Sequence, residues 1–160
     1  MDRIAPFLFG ICRRYADRTE DAKDLLQEAL IKIFNNIEQV QTNEFAFKGW
    51  CRRITVNVAL SKLRKKGFNS RVEMDDSVRG SAAPSIYGSM NAADILKLLE
   101  KLPEKQKLVF NLSVLDGYSH REIAQMLGIG ESSSRTFLVR ARGKLQQLIQ
   151  AQEINLTNEK

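Results

Sequence analysis

The chain has 160 residues, of which 43% are hydrophobic, so its composition excludes wholesale disorder and allows one ordinary domain or two small ones. Its 25 Lys and Arg outnumber 19 Asp and Glu, and the resulting net charge of +6 favours a polyanionic partner such as nucleic acid. No apolar run reaches the roughly 18 residues of a membrane span. Cys12 and Cys51 stand alone, which indicates no metal site and suits a reducing cytoplasm.

Residues 1–66 are predicted to form a small helical domain. The N-terminal stretch lacks a basic leading region and a cleavage site, so it is predicted to be a helix and not an export signal. A second helix, with Thr19 or Asp21 as its N-cap, follows from apolar residues at helical spacing: Leu25, Leu26, Ala29, Leu30, Ile33, Phe34 and Ile37. A third helix is predicted from about Phe47 to Lys66, where cations in the last turn precede a glycine.

Residues 67–91 are rich in Gly, Ser, Asp and Asn and contain Pro84. These residue types favour turns and flexible connections because their side chains compete for backbone hydrogen bonds or free the backbone. Structureless loops longer than about 15 residues are uncommon inside compact domains. The stretch is therefore predicted to be a flexible linker between two domains.

Residues 92–150 are predicted to form a second helical domain of three or four helices. Pro103 is predicted at a first helical position, and Asp116-Gly117 is predicted to form a turn. Ser119 and Glu122 have the spacing of a capping box. No strand pattern appears, so the fold class is predicted to be all-α, with residues 151–160 as a flexible tail.

A short helix closed by Gly128, followed by an amphipathic helix from about Glu131, is typical of a helix-turn-helix. The second helix is predicted to turn four apolar residues inward: Leu138, Ala141, Leu145 and Leu148. Its outward face then carries Ser132, Thr136, Val139, Arg140 and Gly143, with Ser133 and Arg135 on the flanks. Hydroxyls and arginines on such a face suit entry into a major groove.

The run from Leu102 to Leu145 resembles region 4 of RNA polymerase sigma factors, the region that binds the −35 promoter element. The matching elements are Leu102-Pro103, Gly117-Tyr118-Ser119, Glu122-Ile123-Ala124, Leu127-Gly128 and Arg140-Ala141-Arg142 with Leu145. The resemblance implies −35 contacts by Ser132, Ser133, Arg135, Thr136, Val139 and Arg140. Two departures, Ser132-Ser133-Ser134 for the common Gly-Thr-Val and Phe137 for an Arg or Gln, leave the preferred −35 sequence open.

The first domain is similar to region 2 of the same family. Residues 21–29 resemble the helix that binds the coiled coil of the polymerase's largest subunit, and this implies contacts by Asp21, Asp24, Gln27 and Glu28. An acidic helix face suits a basic partner. Lys23 stands where an acid is usual.

Residues 47–66 look like the part of region 2 that melts and reads the −10 element, with a pocket for an unstacked base built by the preceding loop, here about 35–45. The resemblance implies phosphate contacts by basic residues and a polar reading role for Asn57. A lone Trp50 is more often a core residue than a stacking platform. The predicted −10 residues are Trp50, Arg52, Arg53, Asn57, Arg64, Lys65 and Lys66.

Together these resemblances identify a member of the extracytoplasmic-function (ECF) group of sigma factors. The group implies a cytoplasmic, non-enzymatic protein without a cofactor, whose partners are promoter DNA, core RNA polymerase (the largest-subunit coiled coil and the flap of the second-largest subunit) and an anti-sigma factor. The family usually has another helix-sized stretch before the position of Asp2, so this chain is expected to be truncated at its N-terminus. A stand-alone helix-turn-helix regulator that dimerises through its N-terminal half is the alternative. An enzyme is disfavoured, because the single histidine lies in a capping turn.

Overall fold

The computed structural model describes residues 3–40, 43–67 and 90–158, excluding the side chains of residues 92 and 156–158. Throughout these residues the regular structure is helical, as predicted. The chain divides into two compact units, Met1–Asn69 and Ser70–Lys160, here called the N-terminal and C-terminal units. The predicted linker, including Pro84, lies almost entirely outside the described residues. Among the described residues, no helix combines the length and apolar character that a membrane crossing requires.

The N-terminal unit consists of three helices that pack pairwise against one another. They are α1 (Ile4–Tyr15), α2 (Thr19–Asn35) and α3 (Glu44–Lys65), and a 3-10 turn (Ile37–Gln39) follows α2. Each helix contributes buried residues to one core, and each large aliphatic side chain stabilises the fold by about 1.5–3 kcal/mol. The core residues are Leu8, Ile11, Cys12, Tyr15, Ala22, Leu25, Ala29, Ile33, Cys51, Thr55, Val56, Val58, Ala59 and Leu60.

The two free cysteines belong to this core. Burial raises the pKa of the Cys12 thiol to about 11 and also raises the pKa of Cys51. Both thiols therefore stay protonated near neutral pH and act as small apolar side chains. No group of three or more His, Cys, Asp or Glu within the described ranges has the arrangement of a metal site.

The ends of α2 and α3 differ from the prediction. The N-cap of α2 is Arg18, so neither Thr19 nor Asp21 caps the helix. The Thr19 hydroxyl instead accepts a hydrogen bond from Arg13 Nη1 at 2.6 Å, which ties the end of α1 to the start of α2. Helix α3 begins at Glu44, before the predicted Phe47, because the Asn43 side chain accepts from the Ala46 amide at 3.0 Å.

The C-terminal unit contains α4 (Ala92–Leu99), α5 (Glu104–Phe110), α6 (His120–Leu127) and α7 (Glu131–Asn158). A π-helical turn (Asn111–Leu115) extends α5, and Pro103 is the N-cap of α5, one residue before its predicted place. Helix α7 packs against α5 and α6. The core residues are Leu98, Leu99, Leu102, Leu108, Val109, Phe110, Leu112, Ile123, Leu127, Phe137, Leu138, Ala141, Leu145 and Ile149.

Helix α7 continues to Asn158, beyond the predicted end near residue 150, so the predicted flexible tail is largely helical. The reason is local, because the segment after Leu145 contains neither glycine nor proline until the helix ends. Only residues 159 and 160 of the predicted tail lie outside the described residues.

Candidate nucleic-acid interface

Helices α6 and α7 form the predicted helix-turn-helix. Both bonds of the capping box are present at the start of α6: the Glu122 amide donates to Ser119 Oγ at 3.2 Å, and the Ser119 amide donates to Glu122 Oε2 at 2.8 Å. Gly128 ends α6 with a φ of +66°, a left-handed conformation that glycine adopts without strain. These two local signals position α7 after a short turn.

The buried stripe of α7 differs from the prediction at four positions. Leu138, Ala141 and Leu145 are buried as predicted, but Leu148 is half-buried and Ile149 takes the next core position. Ser134 and Phe137 are also buried, although the sequence analysis assigned neither to the core. After Leu145 the next buried residue is therefore four positions further along the helix, whereas the prediction placed it three positions further.

The opposite side of α7, here called the α7 face, carries the predicted outward residues. Ser132, Thr136 and Gly143 are exposed, and Val139 and Arg140 are half-buried. The Thr136 hydroxyl donates to the Ser132 carbonyl at 3.1 Å, which leaves its methyl group and oxygen on the surface. The Nε of Arg140 is buried, and in the part of the chain that the structure describes it has no hydrogen-bond partner.

The two predicted flanking residues of α7 have different surroundings. Ser133 is half-buried, whereas Arg135 is exposed and forms a salt bridge with Glu131 one turn earlier. The charge of Arg135 is therefore already paired with a carboxylate. A phosphate contact by Arg135 requires the arginine to leave Glu131 or to bridge both anions.

A hydrogen bond that the sequence analysis missed joins the two helices. His120 Nδ1 lies 2.8 Å from Ser134 Oγ, and the serine is fully buried. The pair connects the first residue of α6 to the inner side of α7 and so fixes how α7 sits on α6. The partners are 14 residues apart, so no local spacing rule could have found the pair.

The surroundings of His120 predict a pH-dependent stability for the C-terminal unit. Burial lowers the pKa of His120 below its usual 6.5, helped by Arg135 and Arg142 and partly opposed by Glu131. Because the folded state favours neutral imidazole, we expect the stabilisation to be complete above about pH 6.5 and to be lost as the pH falls through the folded-state pKa. Urea unfolding between about pH 8 and pH 5 measures the free energy of unfolding as a function of pH. A His120→Gln variant should show a weaker dependence of this free energy on pH. Equal profiles would contradict the expectation.

Helix α3 brings four of the seven predicted −10 residues onto one side. Trp50, Arg53, Asn57 and Arg64 are separated by three, four and seven residues, so they form one line along the helix, here called the α3 stripe. This line lies opposite the buried Cys51, Thr55 and Ala59. Arg53, Asn57 and Arg64 are exposed, while Trp50 is half-buried with its ring centroid 6.0 Å from that of Phe47.

The other three predicted −10 residues lie off the α3 stripe. Arg52 is half-buried, its guanidinium carbon lies 5.4 Å from the centroid of the Phe7 ring of α1, and its Nε is buried. Lys66 Nζ lies 3.7 Å from a carboxylate oxygen of Asp21, at the start of α2. Lys65 is exposed and lies between the α3 stripe and Lys66 around the helix.

The four predicted polymerase-binding residues share one broad side of α2. Asp24 and Gln27 are exposed, and Asp21 and Glu28 are half-buried. Lys23, which departs from the family pattern, pairs instead with Glu20 at 3.5 Å.

Two large apolar residues continue this side of α2. Ile31 is 60% exposed and Phe34 is 51% exposed. They follow Asp24 and Gln27 at helical spacing and extend the same side, here called the α2 face. Ile31 has no predicted role, and Phe34 is one of the apolar residues from which the helix is predicted. The structure therefore adds an apolar half to the acidic surface.

Comparisons with known proteins agree with this architecture. Residues 1–68 match the family described as sigma-70 region 2, and residues 92–145 match sigma-70, region 4. These matches cover the N-terminal unit and the helix-turn-helix, and they define a sigma-type transcription protein. The chain belongs to the sigma-70 family, in its ECF group. The predicted family and all-α fold are thus confirmed.

The chain is similar to the ECF RNA polymerase sigma factor SigE of Mycolicibacterium smegmatis, with 28% identity over 86% of this chain and 55% of that protein. It is similar to SigW of Bacillus subtilis, with 28% identity over 86% of this chain and 80% of that protein. The sigma factor RpoE of Bartonella quintana, solved in complex with the anti-sigma factor NepR, superposes with a TM-score of 0.59, 25% identity and 92% coverage of both chains. The chain thus spans little more than half the length of the first of these relatives.

Proposed function

We propose that this protein is an ECF sigma factor that binds core RNA polymerase and directs promoter-specific initiation through −10 and −35 elements. One observation carries the proposal: each unit presents a helix face with basic and hydrogen-bonding side chains opposite its core, in two units that match regions 2 and 4 in the family's order. Sigma factors recognise DNA and perform no chemistry, so the proposed role is not enzymatic.

The α7 face is proposed to read the −35 element. Hydroxyl groups of Ser132 and Thr136 donate to or accept from base edges, and the Val139 side chain suits a thymine methyl group. Arg140 supplies a guanidinium for a base edge or a phosphate. Ser133 and Arg135 flank this face and are proposed to contact the backbone, which positions the helix without reading sequence.

The α3 stripe is proposed to bind the −10 element. Arg53 and Arg64 lie on the same line as Asn57, so cations that attract phosphates flank an amide that can read a base. Trp50 lies on this line, half-buried against Phe47. It can therefore pack against Phe47 and also contact the −10 DNA with the edge of its ring. Lys65 and Lys66 extend the basic character past the end of the stripe.

The α2 face is proposed to bind the polymerase's coiled coil. Its acidic half suits a basic partner, and Ile31 and Phe34 provide the apolar anchors that a helix-on-helix interface needs. The C-terminal unit is proposed to contact the flap of the second-largest subunit, by similarity to the family. The Bartonella relative is bound to an anti-sigma factor, which supports an anti-sigma partner for this chain. The protein is proposed to act in the cytoplasm, in keeping with the proposed promoter-binding role.

In vitro transcription with core polymerase on a randomised promoter library tests the proposal. We expect the chain to select one promoter class with two conserved elements, and we expect no selection by core polymerase alone. A chain that fails to bind core polymerase in a pull-down would contradict the proposal. Dimeric binding to duplex DNA without polymerase would favour the stand-alone regulator instead.

The different positions of Arg52 and Arg53 predict different effects of removing each side chain. Arg52→Ala should lower the free energy of unfolding of the N-terminal unit by about 1–2 kcal/mol, because it removes the contact with Phe7 and a half-buried stem. Arg53→Ala should change the free energy of unfolding by no more than about 0.5 kcal/mol. It should weaken promoter binding and reduce by about one the slope of the logarithm of the binding constant against the logarithm of the salt concentration. Urea unfolding and salt-dependent DNA binding measure both effects. The reverse pattern would show that the two roles are exchanged.

A further inference from the structure

Glu131 is the first residue of α7, directly before Ser132 of the α7 face, and no DNA contact is predicted for it. It is exposed, and the next acidic residue of the helix is Glu153, about six turns further on. All charged residues between these two acids are basic: Arg135, Arg140, Arg142 and Lys144. A carboxylate at the DNA-facing end of a helix is repelled by phosphates, so it weakens DNA binding unless a hydrogen-bond donor compensates.

Arg135 holds the Glu131 carboxylate in place. Its Nη2 donates to Glu131 Oε1 across one helical turn, and both side chains are about half exposed. A guanidinium has five N–H donors and an ionised carboxylate has about four acceptor sites, so this bond saturates neither group. Arg135 can therefore bridge Glu131 and a phosphate while Glu131 accepts a further hydrogen bond. The ion pair restricts the carboxylate, which lowers the entropy cost of that further bond.

The major groove offers Glu131 two kinds of donor. The N-terminal residues of a recognition helix contact base edges, and helical side chains lean toward the N-terminus, which directs Glu131 ahead of the first turn of α7. Cytosine and adenine each present an amino group in the major groove, whereas guanine and thymine present acceptors there. An ionised carboxylate only accepts hydrogen bonds, so it is attracted by the first two bases and repelled by the other two.

We propose that Glu131 is a specificity-determining residue of the −35 surface, whose carboxylate accepts a hydrogen bond from the major-groove amino group of one cytosine or adenine. This inference rests on the proposed function and deepens it. Arg135, which contacts the DNA backbone in that function, is here also the positioning residue for Glu131. Where guanine or thymine occupies the same position of the strand, the carboxylate meets acceptors and has no donor, so such promoters are disfavoured.

The test uses holoenzyme assembled from the full chain and core polymerase, on the promoter class selected above. Each −35 position carries each of the four bases in turn, and competition binding gives the relative affinities. At one position the wild-type chain should prefer cytosine or adenine over guanine and thymine by about 5- to 150-fold, the range for one mismatched base pair. Glu131→Gln should largely abolish this preference, because the amide both donates and accepts, and should keep the preferences at the other positions.

A second arm changes the DNA. 2-Pyrimidinone in place of the preferred cytosine, or purine in place of the preferred adenine, removes the amino group alone and distinguishes the two bases. This change should weaken binding of the wild-type chain more than that of Glu131→Gln.

Glu153→Gln is the matched control, because it removes the same charge from an exposed position of the same helix. It should leave every base preference unchanged. An affinity change in Glu131→Gln that is equal for all four bases would show that Glu131 acts only through its charge or through helix stability, and would overturn the proposal. Equal losses of the wild-type chain and Glu131→Gln on the amino-free DNA would also overturn it. A wild-type chain that selects no promoter class would overturn the proposed function itself.

Discussion

The double variant Ile31→Ser/Phe34→Ser is expected to bind core RNA polymerase about 100-fold more weakly than the wild-type chain, a loss of roughly 2.8 kcal/mol. Exposed apolar anchors at the centre of an interface contribute most of its binding free energy. The acidic residues of the α2 face mainly set orientation and association rate. Competition for fluorescently labelled sigma factor on core polymerase measures the change.

A control for this variant lies in the other unit. Ile154 of α7 has the same 60% exposure as Ile31, so Ile154→Ser removes the same side chain from an equally exposed helical position. We expect Ile154→Ser to bind polymerase normally, and neither variant to lose more than about 0.5 kcal/mol of stability. If the double variant binds normally, the apolar half of the α2 face has no part in polymerase binding.

Arg140→Ala is expected to weaken binding to the selected −35 element by about 1–3 kcal/mol, which corresponds to roughly 5- to 150-fold. The α7 face places this arginine beside Thr136 and Val139, where its guanidinium is proposed to contact a base edge. Holoenzyme binding to promoters with an intact or a scrambled −35 element measures the loss. The effect should largely disappear on the scrambled promoter.

Arg142→Ala provides the matched control for Arg140→Ala. Both arginines are half-buried and lie on either side of Ala141, but two residues along a helix correspond to about 200° around it. Arg142 therefore lies on the flank of the α7 face that Arg135 also occupies, where the proposed contact is to the DNA backbone, so its removal should change −35 discrimination little. Equal losses for both variants would indicate a general electrostatic effect and would remove Arg140 from the base-reading residues.

The features that local chemistry determines were predictable from the sequence. The capping box at Ser119, the left-handed Gly128 and the inward Leu138 each depend on residues within one or two helical turns. The family resemblance added the order of the two units. The assignment of individual residues to DNA or polymerase stays a prediction.

The features that the sequence did not reveal depend on contacts between distant elements. Arg13 engages Thr19 from the preceding helix, so Arg18 becomes the N-cap of α2. Arg52 looks like one more basic residue of α3, yet it faces Phe7. Apolar residues occur on several sides of α2, so periodicity alone could not show that Phe34 is exposed.

The ion pair between Lys66 and Asp21 joins a residue assigned to the promoter with one assigned to polymerase. In the free chain each charge partly neutralises the other. If both assignments hold, polymerase that engages Asp21 frees the lysine for a phosphate, and DNA that engages Lys66 frees the carboxylate. Occupying either surface then strengthens the other by the same factor, as thermodynamic linkage requires. An exposed pair contributes at most about 1 kcal/mol, so this cooperativity is about fivefold or less.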